Sequence, residues 1–256
     1  MPPMNVRATP RKKRGSGRDE SEAGAGDVRS VRRALQLLTL FDGVRSRASL
    51  SELARESALA TSTVQRLLQT LERESFLVRE ADGRYALGTA LMRLGITAVR
   101  ATPLHERAGP WLTALSRNTG ETANLAVLDT PESAFYIRQR VSDQAIRHEN
   151  WVGRPFAVEG TAVGMALTGR VGGGGGYVTR HTQTPDVSAA AAPVHGAEGD
   201  IVAGLSLTGP TFRIDDEALE RMRHAVVEAA RELSHALGGN WPYEPGAGTA
   251  RLTPQT

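Results

Sequence analysis

From position 30 onward apolar residues recur at helical spacing, after an opening stretch that has no such period. Val31, Ala34, Leu35, Leu38 and Phe41 fall on one face of a helix, with Ser30 as its expected N-cap and Gly43 as its stop. Leu50, Leu53 and Ala54 predict a second, short helix capped by Ser49 or Ser51, and 57–60 a tight connection. A third helix is expected over 61–74, with Thr61 or Ser62 as N-cap and Val64, Leu67, Leu68 and Leu71 turned inward. Segments 76–79 and 84–87 then read as strands around Ala81, Asp82 and Gly83, where the Asp-Gly pair suits the positive φ angles of a two-residue hairpin. Three helices and then a hairpin are the layout of a winged helix-turn-helix.

Residues 89–118 are again helical in pattern, with Leu91, Leu94, Val99, Leu104, Trp111, Leu112 and Leu115 apolar. Pro103 divides this stretch, with Thr102 capping its second part. Alternating segments at 121–128 and 134–141 predict antiparallel strands joined at 129–131, and 187–194 and 201–208 a second pair turning at 196–200. Between the pairs, 160–169 reads as a short apolar helix. A long amphipathic helix follows at 215–237, its acidic residues in the first turn where the helix dipole favours them. The expected class is α+β, with a disordered basic tail at 1–28, a winged helix-turn-helix DNA-binding domain at 29–88, a linker helix at 89–102, an effector-binding or oligomerisation domain at 103–238 and a flexible tail at 239–256.

Charge sharpens the contrast between the two halves. Residues 1–88 carry sixteen basic and eleven acidic side chains, a net +5, whereas the remainder carries fifteen against seventeen, a net −2. A basic leading part fits a polyanionic partner such as double-stranded DNA. In a helix-turn-helix the first residues of the second motif helix face base edges. Here those are Thr61, Ser62, Thr63, Gln65, Arg66 and Gln69, with Ser51 on the preceding helix and Arg84 just past the hairpin tip for phosphate contact.

The chain has no cysteine, which excludes disulfides, thiolate nucleophiles and cysteine-ligated metals. No stretch approaches the roughly eighteen apolar residues of a membrane span, and the basic start lacks the apolar segment of a secretory signal, so the expected location is the cytoplasm. None of the six histidines falls in a His-Glu-x-x-His spacing, no Gly-x-Ser-x-Gly elbow occurs, and the run from Gly172 to Gly176 lacks the Gly-Lys-Ser/Thr ending of a phosphate loop. An enzyme is therefore not expected, and neither a cofactor nor a metal.

The motifs Ser30-Val31-Arg32-Arg33-Ala34-Leu35, Leu50-Ser51-Glu52-Leu53-Ala54, Ser62-Thr63-Val64-Gln65-Arg66-Leu67-Leu68 and Gly83-Arg84-Tyr85-Ala86-Leu87-Gly88 resemble the IclR family of bacterial transcriptional regulators. The resemblance continues through Thr119-Gly120-Glu121-Thr122-Ala123, Val152-Gly153, Thr161-Ala162-Val163-Gly164, Ala191-Ala192-Pro193-Val194 and Leu205-Ser206-Leu207-Thr208-Gly209-Pro210, covering about residues 30–238. It implies a GAF-like antiparallel sheet in the effector domain, homodimers or homotetramers on a DNA operator, and a small-molecule effector, commonly an organic acid or aromatic catabolite. By motif it places the effector against Gly160 and Thr161, against Arg180 or Thr179 after Gly176-Tyr177, and against Ala189, Ser206 and Thr208. Met165 and Glu159 depart from the lysine and histidine common in the family, and the glycine run replaces a longer, partly helical stretch, so one wall of the pocket is expected to be missing or mobile. The alternative reading is a DNA-binding regulator whose second domain only oligomerises.

Overall fold

The computed structural model describes residues 28–41, 45–101, 103–147, 149–180, 182, 186–244 and 250–251. The tail expected at 1–28 (Val28 apart), the stop at Gly43 and the cap at Thr102 lie outside the described residues.

Helices α1 (Arg29–Leu38), α2 (Leu50–Ser57) and α3 (Thr61–Arg73) pack around Leu37, Leu53, Val64 and Leu68, all fully buried. The α1 N-cap is Val28 rather than Ser30, and it makes no side-chain bond. The start of α2 is better secured. Ser49 Oγ accepts from the Glu52 amide at 3.3 Å while the Glu52 carboxylate takes the Ser49 amide at 2.7 Å, a reciprocal capping box. Those bonds, the Ser49 amide above all, hold the Glu52 carboxyl below its ordinary pKa. Ala58 in the left-handed region turns the chain into α3, whose N-cap position is taken by Ala60, without a side-chain bond, in place of Thr61 or Ser62.

Strands β1 (Arg47–Ala48), β2 (Leu77–Arg79) and β3 (Tyr85–Leu87) form a small antiparallel sheet with β3 in the middle. The two-residue β1 has no alternation to reveal it in sequence. The hairpin loop has three residues, not two. Glu80 N donates to Arg84 O, Gly83 N donates to Glu80 O, and of the Asp-Gly pair Gly83 alone has positive φ (84°). That is a turn followed by a glycine bulge, the usual three-residue solution. At the wing's base, a Cβ on Gly88 would lie 2.2 Å from the Ser75 carbonyl oxygen, which fixes glycine there.

Helix α4 (Thr89–Ala101) leads to α5 (Pro103–Thr119), which runs straight through Pro110. Proline cannot donate the amide that the Glu106 carbonyl would accept. The Arg138 guanidinium, reaching across from the sheet, donates to the carbonyls of both His105 and Glu106 instead. Gly109 leaves room for it, since a Cβ there would stand 2.6 Å from the guanidinium.

The larger sheet contains β4 (Thr122–Thr130), β5 (Ser133–Arg140), β6 (Pro155–Ala157), β7 (Tyr177–Thr179), β8 (Val187–His195), β9 (Ile201–Pro210) and β10 (Ala250–Arg251), in the order β10-β7-β8-β9-β4-β5-β6. Every neighbouring pair is antiparallel except β10 with β7. The four long strands match the two pairs expected from alternation. The short β6, β7 and β10 carry too few residues for a period of two to show. One face is covered by α5 and α7 (Asp216–Ala236), which bury Leu125, Leu205, Leu207, Leu112 and Leu233 between them. Helix α6 (Ala162–Leu167) lies on the other face, over Ala126, Tyr136, Ala189 and Ala191.

The register between β4 and β5 slips between Leu125, opposite Arg138, and Ala126, opposite Tyr136, leaving Ile137 as an extra residue. This bulge breaks the alternation of β5. Arg138 and Ile137 meet the α5 side, whereas Tyr136 belongs to the α6 side and Gln139 sits beside Asn124.

The glycine run is neither missing structure nor a wall of the cavity. Gly175 N donates to Gly172 O at 2.8 Å in a tight turn, and Gly174, Gly175 and Gly176 are buried. Trp241 and Tyr243 lie over that turn, where a Cβ on Gly175 would stand 2.5 Å from Trp241 and 2.7 Å from Tyr243. Their rings are 5.0 Å apart, centroid to centroid, and both pack on His195. Part of the segment expected to be a flexible tail is thus a packed strap, followed by β10 along the edge of β7.

Candidate DNA-reading face and effector cavity

Helix α3 turns Val64, Leu68 and Leu71 into the core and leaves Thr61, Ser62, Gln65, Arg66 and Gln69 exposed along its outer side. Ser51 is exposed on α2. Thr63 is half-buried and, with Arg66, lines a groove of about 590 Å³ between α3 and α1 that also holds Arg29 and Arg33. Arg84 is turned back rather than outward. Its guanidinium bonds the Arg47 carbonyl at 3.3 Å and meets Glu52 at 3.5 Å, tying the wing to the capped start of α2. The outer side of α3 therefore offers amides, hydroxyls and a guanidinium, the groups that pair with base edges and phosphates.

In the second domain the expected effector residues separate. Thr161, Ala189, Ser206 and Thr208 line one cavity of about 40 Å³ on the α6 side of the sheet. Gly160, with φ of 73°, makes the turn that leads into Thr161 but does not line the cavity. Thr179 pairs with Ala189, which pairs with Thr208, so it extends the same cross-strand row without lining the cavity. Arg180 points elsewhere. Its guanidinium is bound to Asp216 and, at 2.9 Å, to the Ile214 carbonyl, which pins the end of β7 to the start of α7.

The rest of the lining comes from Tyr136, Trp151, Phe156, Ala162, Val163, Thr182 and Val187. Sequence reasoning missed these. Trp151 precedes β6, and Phe156 within it reaches the cavity only because β6 pairs with β5, a pairing of three residues that leaves no periodic trace. Thr161 has a local duty as well: its oxygen accepts the Gly164 amide at 3.1 Å and its hydroxyl donates to Val158 O at 3.0 Å, capping α6. A Cβ on Gly164 would lie 2.0 Å from that same Val158 oxygen, so this cap requires glycine three residues on.

Behind the cavity lies a buried polar row. Asn124 Nδ2 donates to Thr208 Oγ1 at 3.2 Å and to Ser206 Oγ at 3.4 Å, and Gln139 Nε2 donates to Asn124 Oδ1 at 2.7 Å. Tyr136 lines the cavity with Ser206, and burial pushes its phenol up to about 12. At the sheet's end Glu121, also buried, holds Arg213 through two bonds of 2.7 Å, which keep that guanidinium protonated beyond its ordinary range.

A winged helix-turn-helix, a linking helix and a sheet domain with a small cavity define a DNA-binding transcriptional regulator. The chain belongs to the IclR family: residues 30–81 match the IclR helix-turn-helix domain, and residues 96–169 and 174–235 match the bacterial transcriptional regulator IclR C-terminal domain. The break in the second match falls at the glycine turn, and the match ends before the strap. The chain is 30% identical to the HTH-type transcriptional regulator BhcR of Paracoccus denitrificans, over 86% of this chain and 94% of that protein. Among solved structures, the IclR transcriptional regulator of Alicyclobacillus acidocaldarius is 26% identical, with a TM-score of 0.71 over 83% of this chain and all (100%) of that one. An IclR homologue of Microbacterium hydrocarbonoxydans, complexed with 4-hydroxybenzoate, shares the fold at 22% identity and a TM-score of 0.64, over 81% and 99% of the two chains. Members of this family are transcription factors rather than enzymes. No helix among the described residues is long and apolar enough to cross a membrane.

Proposed function

We propose that this regulator binds its operator as a dimer or a pair of dimers and that a small organic acid in the cavity between α6 and the sheet alters that binding. The observation that carries the reading is the convergence of Thr161, Ala189, Ser206 and Thr208 on one partly open cavity, from three separate stretches of chain. At about 40 Å³ the space suits a ligand of a few heavy atoms. A cavity that takes benzene measures roughly 150 Å³. An aromatic acid such as the one bound by the Microbacterium homologue therefore requires the half-buried Trp151 and Phe156 to swing outward.

Thr61, Ser62, Thr63, Gln65, Arg66 and Gln69 are assigned to the major groove, and Ser51 to the backbone alongside it. Arg84 anchors the wing and contacts a phosphate only if it releases Glu52. Dimerisation is supported by α4, where Met92, Leu94, Ile96 and Val99 are exposed together, and by Val31 and Leu35 of α1. A helix that is apolar and solvent-covered for three turns lacks the packing that stabilises helices, and a second copy supplies it. The route from cavity to DNA runs along β5, which holds Tyr136 on one side and, through Arg138, grips the start of α5 next to α4 on the other.

Gel-shift titration on the DNA upstream of the regulator's own gene tests both halves. Gln65→Ala with Arg66→Ala is expected to abolish sequence-specific retention while leaving the circular-dichroism spectrum unchanged. Intact retention would move the reading face elsewhere. A shift in operator affinity with small organic acids supports the sensor, and no shift across a panel of acids and aromatics supports a domain that only oligomerises.

A further inference from the structure

The buried polar row behind the cavity has a direction, and the backbone fixes it. The Trp151 backbone amide lies 3.0 Å from one terminal atom of Gln139, and an amide can only donate, so that atom is the oxygen. The Glu149 carbonyl lies 3.2 Å from the other terminal atom and can only accept, so that atom is the nitrogen. Gln139 therefore donates to Asn124, and the Asn124 atom facing it, 2.7 Å away, is oxygen. The Asn124 nitrogen is left to face Ser206 and Thr208, and it donates to both.

A hydroxyl that accepts from an amide keeps its own proton for another partner. Thr208 is left with a proton for the cavity. Ser206, which also lines the cavity, accepts from Asn124 in the same way and keeps its proton for the cavity side. Thr161 adds no donor, because its proton is held by Val158 O. The polar end of the cavity is thus set by two side chains that do not line it.

We propose that Asn124 and Gln139 are positioning residues whose relay turns the Thr208 and Ser206 hydroxyls into donors, so that the cavity selects a ligand bearing an acceptor oxygen of a carboxylate or carboxamide. Ionisation does not disturb this arrangement at neutral pH, because the buried Tyr136 phenol keeps its proton. The cross-strand register supports it too: Gln139, Asn124, Ser206, Ala191 and Tyr177 form one continuous row across five strands, which sets the relay side by side on one face of the sheet. The proposal rests on the cavity being the effector site.

The test uses three probes of nearly equal size on the full chain labelled with fluorotryptophan, with the Trp151 fluorine signal as readout: acetate, acetamide and ethylammonium. Acetate and acetamide are expected to shift the signal saturably and ethylammonium to leave it unmoved. Asn124→Asp keeps the size and the bond from Gln139 but turns the atoms facing Ser206 and Thr208 into acceptors. It is expected to weaken acetamide and acetate about tenfold or more and to admit ethylammonium, a reversal that mere loosening of the fold does not produce. The uncharged acetamide separates polarity from charge repulsion. Thr208→Val is expected to weaken the acceptor probes with no gain for ethylammonium. Equal binding of acetate and ethylammonium to the unaltered chain, or unchanged acetamide affinity in Asn124→Asp, overturns the relay and leaves the cavity a ligand site. If no probe moves Trp151, the effector-site reading fails and takes the relay with it.

Discussion

Tyr136 shows how much one residue's surroundings decide. Its ring is buried beside Phe156, at a centroid distance of 4.7 Å, and burial pushes its phenol up to about 12. In the unfolded chain the phenol ionises near 10. Above that pH the unfolded state loses the proton and the folded state does not. The stabilisation from a neutral Tyr136 is complete below pH 10 and is lost as pH rises through about 12, a change of about 2–3 kcal/mol. Denaturant midpoints measured from pH 9 upward are expected to fall more steeply in the parent than in Tyr136→Phe. At this scale local chemistry was legible in part, since the caps expected at Ser30 and at Thr61 or Ser62 fall to Val28 and Ala60. Glu52 three residues after Ser49 announces the capping box, and Gly83 announces a turn, although the loop length depends on Asp82 keeping ordinary φ. Asn124 and Gln139 gave no such signal, because a polar residue in a strand usually faces water and only the pairing of β4 with β5 and β9 buries Asn124 and half-buries Gln139 beside it.

Among elements, α5 is the instructive case. A proline in a helix interior commonly costs about 3 kcal/mol through a lost bond and a clash. Here Arg138 takes over the freed carbonyl and the neighbouring one, and Gly109 admits it. Arg138→Met is expected to leave the Glu106 carbonyl short of a partner and to destabilise the domain by about 1–3 kcal/mol, read from urea unfolding. Gly109→Ala combined with Arg138→Met is expected to recover part of that loss, since the side chain that required glycine is gone. The helix itself was legible from its apolar spacing. Its repair was not, because Arg138 lies 28 residues beyond Pro110 and reaches α5 only through the register of β5. The glycine turn had the same difficulty: a run of glycines reads as flexible until Trp241 and Tyr243, far along the chain, are seen to require those hydrogens.

For the whole molecule the decisive question is assembly. The apolar spacing of Leu91, Leu94 and Val99 announced α4, but spacing does not say whether the covering surface is the chain's own or a second copy's. The structure leaves Met92, Leu94, Ile96 and Val99 exposed, which favours the second copy. Leu94→Asp with Ile96→Asp is expected to shift the sedimentation coefficient to that of a monomer and to weaken operator binding about a hundredfold, since each half-site then binds alone. A variant that remains dimeric would place the interface elsewhere.

The slip at Ile137 has an evolutionary side. A strand with regular alternation tolerates no single-residue deletion, because every side chain beyond it changes face. In β5 the reverse holds locally, since the extra residue is what sends Tyr136 and Arg138 to opposite layers. Loss of Ile137 would make Tyr136 and Arg138 successive residues of a regular strand, whose side chains still point to opposite faces, so the ligand-facing phenol and the helix-gripping guanidinium would keep their layers. Descendants of this gene can therefore drop that one residue and keep a strand that serves both layers, losing the packing of Ile137 on the α5 side, whereas a deletion elsewhere in β5 turns the residues beyond it over.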